Sequence, residues 1–297
     1  MHLGIDIGGT KTDAVVVDAA GVVLARHRLP SGTGASAVIG AALEAGREAC
    51  ARAGVGPAAV TVGIGSPGTV ADGVVSHALN LGIDRADVAG DFAAAWGTRP
   101  VVDNDVNAAA LGAWTVHGDG AGSMAYLNLG TGLAAGIVLD GRLWRGARGG
   151  AGEIGHVSVD PAGPVGSDGL PGGLETYASG SGLALQWGVE GAAGPDIVAA
   201  AAAGDPRARQ ICDGAFFGLA SSVRVLVLTL DVELVVIGGG MAAWGAPLLD
   251  GARSILDAWA ATSPFLASLD LGARLRTMDL DVPIAAIGAA MLGGGRG

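Results

Sequence analysis

The chain has 297 residues, half of them apolar and 15% charged. That supplies a sizeable core in about two domains and excludes the weakly hydrophobic, highly charged class that stays disordered. Its 17 basic and 28 acidic residues leave a formal charge of −11, the opposite of the basic surface that nucleic-acid phosphates require. Glycine is unusually abundant at 54 residues, which points to many tight turns and places where backbone meets a ligand. No uninterrupted apolar run reaches the ~18 residues of a membrane span, because Arg224, Asp231 and Glu233 break the longest candidates. No basic n-region precedes the first strand, and Cys50 and Cys212 lack metal or redox spacing. The expectation is a cytoplasmic protein without membrane or nucleic-acid partners.

In chain order, His2 to Val17 reads strand, turn, strand, and Ala35–Ala53 reads helix. Val60–Ile64 is a β-branched strand that ends in the loop Gly65-Ser66-Pro67-Gly68. The pattern then predicts a helix over Asp84–Trp96, a strand at Pro100–Val102 and a helix over Asn104–Val116. Met124–Leu129 and Ala134–Leu139 repeat the opening strand–turn–strand, and Gly146–Gly173 is loop-rich. Helices are expected over Gly182–Val189, Asp196–Ala203 and Pro206–Leu230. A strand at Glu233–Ile237 opens into Gly238-Gly239-Gly240 and a further helix, and a last helix covers Ile284–Leu292. Strands alternating with helices predict an α/β architecture.

Gly4-Ile5-Asp6-Ile7-Gly8-Gly9-Thr10 lines up with Tyr126-Leu127-Asn128-Leu129-Gly130-Thr131-Gly132, and each copy carries an Asp ten residues after its first turn glycine (Asp18, Asp140). Two such hairpins predict a duplicated chain whose halves face a cleft. The first turn is not a P-loop, since Thr10 stands where that motif needs lysine, and not a dinucleotide fingerprint, since strand-like Ala14–Val17 follows it. It joins two antiparallel strands, and its backbone N–H groups with the Thr10 hydroxyl can form an anion nest. Lys11 is the only lysine in the chain; either it is there by chance or its compact ammonium serves a phosphate.

Asp6-Ile7-Gly8-Gly9-Thr10-Lys11 resembles the signature of the ROK family (repressors, open reading frames and kinases), within the actin-like sugar kinases. The likeness extends through Gly65-Ser66-Pro67-Gly68, Asn104-Asp105-Val106-Asn107, Leu129-Gly130-Thr131-Gly132, Gly152-Glu153-Ile154-Gly155-His156, Leu174-Glu175 and Gly238-Gly239-Gly240. The resemblance implies an actin-like (ribonuclease H-like) duplicated two-domain α/β fold. Its expected parts are a smaller domain over 1–117, with the helix of 283–297 packing back on it, and a larger domain over 118–282. The family's repressors carry an N-terminal helix-turn-helix; the expectation here is the kinase branch, an ATP-dependent hexose kinase acting first on the glucose 6-hydroxyl. Fructose, mannose, an N-acyl amino sugar or a non-catalytic sugar sensor are the alternatives.

By the same resemblance Asp105 is the general base, although at a helix start the residue also suits an N-terminal cap. Asn80, Asn104, Glu153, His156 and Glu175 would hydrogen-bond sugar hydroxyls, with Gly68 offering backbone. Asp6 would help hold Mg²⁺. Gly8, Gly9, Thr10, Lys11, Gly130, Thr131 and Gly132 would line the polyphosphate, and Gly238, Gly239 and Gly240 the adenosine, unless that last segment is a mere turn. A homodimer or homotetramer is the implied assembly. Many relatives place zinc beside the sugar through a histidine and three cysteines; here the cysteine positions are Gly166, Asp168 and Gly173. Zinc is therefore expected to be absent. Asp168 then either pairs with His156 or is an ordinary turn acid.

Overall fold

The computed structural model describes residues 1–118, 121–189, 194–295 and 297, so residue 296 of the expected C-terminal stretch lies outside the described residues. The chain opens with β1 (His2–Ile7), β2 (Lys11–Val17) and β3 (Val23–Pro30), then α1 (Ala35–Arg52) and β4 (Thr61–Ser66). Three short strands follow, β5 (Thr69–Ala71), β6 (Val74–Ala78) and β7 (Ile83–Asp87). Next come α2 (Val88–Trp96), β8 (Val101–Asn104) and α3 (Asp105–His117). The later half contains β9 (Ser123–Leu129), β10 (Leu133–Leu139), β11 (Arg142–Leu143), α4 (Leu174–Ala178), α5 (Gly180–Trp187), α6 (Gly194–Ala202) and α7 (Pro206–Leu230). It ends with β12 (Leu234–Gly238), α8 (Ala246–Thr262), α9 (Pro264–Ser268), β13 (Leu275–Thr277) and α10 (Ile284–Gly293).

The repeat seen in the sequence is a repeat of topology. One five-stranded sheet has the order β3-β2-β1-β4-β8 and the other β11-β10-β9-β12-β13. In the first, β1 pairs antiparallel with β2 and parallel with β4. In the second, β12 pairs parallel with β9 and with β13. The chain divides into two compact units, one of Met1–Gly122, Gly136–Trp144 and Asp281–Gly297, the other of Ser123–Ala135 and Arg145–Leu280.

In the first unit, one apolar cluster joins Leu3, Ile5 and Ile7 of β1 to Val38, Ile39 and Ala42 of α1 and to Phe92 of α2. α10 packs on β1, β4 and α3. That approach is close because glycine lines it: a Cβ on Gly4 or Gly63 would overlap the carbonyl oxygens of Ala286 and Ala289, and one on Gly288 would overlap that of Ala108 in α3. In the second unit, Leu127, Leu129, Val235 and Ile237 pack against Leu219, Val223 and Leu226 of α7. α7 has the length expected from the sequence and is apolar enough to cross a membrane although Arg224 interrupts its apolar run, yet 61% of its apolar window is buried within the protein.

One predicted element needs correction. The helix expected over Asp84–Trp96 begins only at Val88, and residues before it form β7, paired antiparallel with β6. Asp87 is the reason for the break: its carboxylate accepts the Gly90 N–H at 2.8 Å and caps the helix there.

Candidate active site

The first unit gathers a carboxylate group at the C-terminal ends of β1, β4 and β8. Asp6 pairs across the sheet with Asp13 on β2 and with Gly65 on β4, and Gly65 with Asp103 on β8. A Cβ on Gly65 would lie 3.6 Å from the Asp105 Cα and 3.9 Å from Asp6 Oδ1, so the glycine leaves the space in which these two acids meet. Burial, then the Asp105 and Asp13 carboxylates, push the Asp6 carboxyl up to about 7, against the opposing pull of Arg28. Burial also raises the Asp105 carboxyl, while the Val106 N–H, 3.0 Å from Oδ1, draws it back.

The capping question resolves in favour of the neighbour. Asn104 is the N-cap of α3, its Oδ1 accepting the N–H groups of Val106 (2.9 Å) and Asn107 (3.4 Å). Its amide donates to the Gly68 carbonyl at 3.2 Å, which ties the Gly65–Gly68 loop to the helix start. Asp105 is thereby left at the first helical position, where the helix dipole favours a carboxylate. Asp103, buried beneath, accepts the Asn107 amide at 2.9 Å and the Asn104 N–H at 2.7 Å.

The turn after β1 is closed by Gly8 N–H donating to the Lys11 carbonyl at 3.0 Å. Gly9, Thr10 and Lys11 are exposed, and Asn80, also exposed, reaches to 3.6 Å from where a Gly9 Cβ would stand. Residues that the sequence reading passed over hold this turn. Buried Ser31 donates from Oγ to the Gly8 carbonyl at 2.6 Å and from its N–H to the Thr10 carbonyl at 3.2 Å, and it meets the Thr12 hydroxyl at 3.0 Å. Asp13 takes Arg26 and Arg28 on one carboxylate, each guanidinium reaching it at 2.6 Å.

In the second unit, Gly130 N–H donates to the Gly132 carbonyl at 3.0 Å, a closure one residue shorter than that of the first turn. Glu175 braces it: Oε2 accepts the Leu133 N–H at 2.9 Å and would stand 2.6 Å from a Cβ on Gly132. Gly180 and Ser181 donate their N–H groups to the Gly130 and Thr131 carbonyls at 2.8 and 3.0 Å. The Ser179-Gly180-Ser181-Gly182 run was the available signal for this contact. Gly239 lies against the Leu129 backbone. The result is a cavity of about 790 Å³ whose walls include Thr131, Ser181, Pro195, Val198, Gly240 and Trp244. Its mixture of apolar side chains and glycine backbone suits a flat heteroaromatic base.

Glu153 and His156 are exposed on the short turn that precedes the glycine-rich loop. His156 Nδ1 stands 3.7 Å from Asp168 Oδ2, while Asp168 Oδ1 accepts the Leu170 N–H at 3.0 Å. Asp168 is therefore a turn acid that also lies within ion-pair range of the histidine. Among the described residues no three His, Cys, Asp or Glu side chains converge on one metal position.

The Asp6 environment has a measurable consequence. Its folded pKa lies above the ordinary 3.8, so between these values the folded chain retains a proton that the unfolded chain has lost. That contribution is present below the unfolded value and disappears as pH rises through about 7. Asp6→Asn, which cannot ionise, is expected to remove this decline. Thermal melts of both proteins from pH 5 to 8 check it; parallel slopes would refute the buried-carboxylate account.

Known proteins resemble the chain over nearly its whole length. The chain is 31% identical to a glucokinase of Halalkalibacterium halodurans across 98% of this chain and 94% of that one. It is 31% identical to an N-acetylmannosamine kinase of Escherichia coli O157:H7 across 99% and 98%. A crystal structure of a ROK family glucokinase from Streptomyces griseus in complex with glucose and AMPPNP superimposes with a TM-score of 0.74 at 29% identity, covering 98% of each chain. The ROK family model matches residues 2–292. With its duplicated actin-like fold, the chain belongs to the ROK family.

Proposed function

We propose that the chain is a sugar kinase that transfers the γ-phosphoryl group of Mg·ATP to a hexose hydroxyl, with Asp105 as the general base. The observation that carries this reading is the Asp105 carboxyl itself. It is partly buried at the first turn of α3, raised by desolvation, and freed from capping by Asn104. A carboxylate whose pKa moves toward the working pH is a better proton acceptor for an attacking hydroxyl. Helix α3 and the Asn104–Gly68 bond hold it in one orientation, which is how positioning contributes to rate.

The Asp6 carboxylate fits Mg²⁺, a hard cation that takes oxygen ligands, and a bound cation would offset the repulsion that raises Asp6. Such an ion would neutralise charge on the triphosphate. Lys11 would supply a point charge to the phosphates from the first turn. The 790 Å³ cavity beside Gly130–Gly132 and Gly240 would take the adenosine. Glu153, His156 and Glu175, with Asn80 and the Gly68 backbone, would order the sugar hydroxyls. Asn104 would act chiefly through its neighbours, since its side chain is already engaged by Gly68, Val106 and Asn107.

Glucose is the proposed substrate, on the glucokinase relative and the glucose-bound structure. An N-acyl amino sugar is the second reading, favoured by the N-acetylmannosamine kinase relative. A coupled ADP-release assay over glucose, mannose, fructose and N-acetylmannosamine, with and without Mg²⁺, distinguishes them by kcat/KM. Cytoplasmic location and homo-oligomeric assembly belong to the same proposal.

Because Lys11 is the one lysine, the phosphate-turn role has a chemical test. Acylation at a pH that spares the N-terminal amine is expected to abolish most activity, with Mg·ATP protecting and mass spectrometry locating the adduct. Full activity after stoichiometric labelling of Lys11 would exclude the role.

A further inference from the structure

Residues 157–174 form a strap whose two ends are sewn together: Leu174 N–H donates to the Val157 carbonyl at 3.0 Å, and Ser158 bridges Gly173 in antiparallel fashion. His156 is the residue immediately before this strap and Glu175 the residue immediately after it. A Cβ on Gly155 would lie 3.2 Å from the Glu175 Cβ, so the two stems are in contact where these side chains emerge. Whatever sets the strap on α4 therefore sets the relative placement of His156 and Glu175.

Tyr177, one residue beyond Thr176 on α4, reaches back across the strap. Its hydroxyl donates to Asp160 Oδ2 at 2.8 Å. Asp160 in turn organises the strap's base: Oδ1 accepts the Ala162 N–H at 3.0 Å and its carbonyl accepts the Gly163 N–H at 3.0 Å. The fit is tight on both sides. A Cβ on Gly163 would stand 2.5 Å from the tyrosine hydroxyl, and one on Gly172 would overlap the Asp160 carbonyl. The ring itself is packed edge-on against Phe217 of α7, with centroids 5.3 Å apart. Burial and the Asp160 carboxylate push the phenol up to about 12, so it remains a donor across the working pH range.

We infer that the Tyr177–Asp160 hydrogen bond fastens the strap to α4, and that Tyr177 and Asp160 are positioning residues for the sugar contacts of His156 and Glu175. This rests on the sugar-binding reading of those two side chains. Neither Tyr177 nor Asp160 needs to touch the sugar. The bond joins Asp160, four residues past His156, to Tyr177, two residues past Glu175, closing a short ring of chain around both stems.

Tyr177→Phe removes only the hydroxyl and leaves the ring against Phe217. It is expected to raise the sugar KM about tenfold, a change of ~1.4 kcal/mol and within reach of one hydrogen bond to a charged acceptor. The ATP KM should stay within about twofold, since the adenosine cavity shares no residue with the fastener. Asp160→Ala should raise the sugar KM at least as much, since it also releases the Ala162 N–H, Asp160→Asn should largely avoid it by keeping an acceptor oxygen, and the Tyr177→Phe/Asp160→Ala double variant should be no worse than Asp160→Ala alone. An unchanged sugar KM in Tyr177→Phe, strictly additive effects, or an equal rise in both KM values would overturn the fastener. His156→Ala and Glu175→Ala separate the two levels of the argument. If they raise the sugar KM and Tyr177→Phe does not, the fastener fails while the sugar site stands. If none of them moves it, the sugar-binding reading fails as well.

Discussion

Asp105→Asn is expected to lower kcat by roughly 10²–10⁴-fold, the usual worth of a positioned general base, while leaving fold and sugar affinity near those of the unaltered protein. The substitution is isosteric. The amide oxygen can still accept the Val106 N–H, and the cap of α3 is untouched because Asn104 provides it. Only the ability to take a proton is lost. The change also removes one of the charges that raise Asp6, so Asp6 should ionise at lower pH in the variant. Steady-state kinetics paired with a calorimetric sugar titration separate the two effects. A near-normal kcat would remove Asp105 from the chemistry.

Gly288→Ala is expected to be the most destabilising single-methyl change in the first unit. The added Cβ would overlap the Ala108 carbonyl oxygen and stand 2.5 Å from the Gly112 nitrogen and 2.8 Å from the Ala108 carbonyl carbon. All three are backbone atoms of α3, so no flexible side chain can yield, and α10 must lift from α3. Overpacking a tight core costs ~1–3 kcal/mol and occasionally more, and the upper end is expected here, about 3 kcal/mol. At 2–4 °C per kcal/mol, that is roughly a 6–12 °C fall in the melting temperature of this unit. Because α3 begins at Asp105, activity at temperatures below the transition should fall as well. Gly40→Ala is the matched control: Gly40 lies exposed in α1 with nothing within 4 Å of the new methyl, so a gain of ~0.5–1 kcal/mol is expected there. Calorimetric scans of both variants measure this, and equal melting temperatures would contradict the packing account.

The elements that the sequence disclosed are those in which one physical signal dominates. β1, β2, β9 and β10 are largely apolar and lie beside glycine turns, and their duplication was visible as matching motifs. α1, α7 and α10 carry long runs of good helix formers. Elements with weaker signals were missed. β3 has no fully buried residue and carries Arg26, His27 and Arg28, so it lacks the apolar face that betrays a strand. β5 and β6 are short, and β7 reads Ile83-Asp84-Arg85-Ala86-Asp87, whose charges mimic a helix surface until Asp87 caps the real one. The candidate site residues were legible through the family resemblance, because the motifs that carry it fix residue types at a set spacing. Ser31 and Thr12 were not, since nothing in a lone serine or threonine announces that its partner, the Gly8 carbonyl for Ser31 and the Ser31 hydroxyl for Thr12, lies some twenty residues away. The Asp160–Tyr177 bond belongs to the same class: a side-chain pair that tertiary packing creates and no local pattern encodes.

The central claim is that this chain moves a phosphoryl group from ATP to a sugar and that the Asp105 carboxylate takes the proton. Phosphorus NMR of the protein with Mg·ATP and glucose tests it most directly, with N-acetylmannosamine in a parallel sample. The account predicts a sugar-phosphate resonance that grows in step with ADP in at least one of them, and that is nearly absent over the same hours with Asp105→Asn. ATP consumed to inorganic phosphate with no sugar-phosphate signal, or the same sugar-phosphate signal at the same rate with Asp105→Asn, would contradict it.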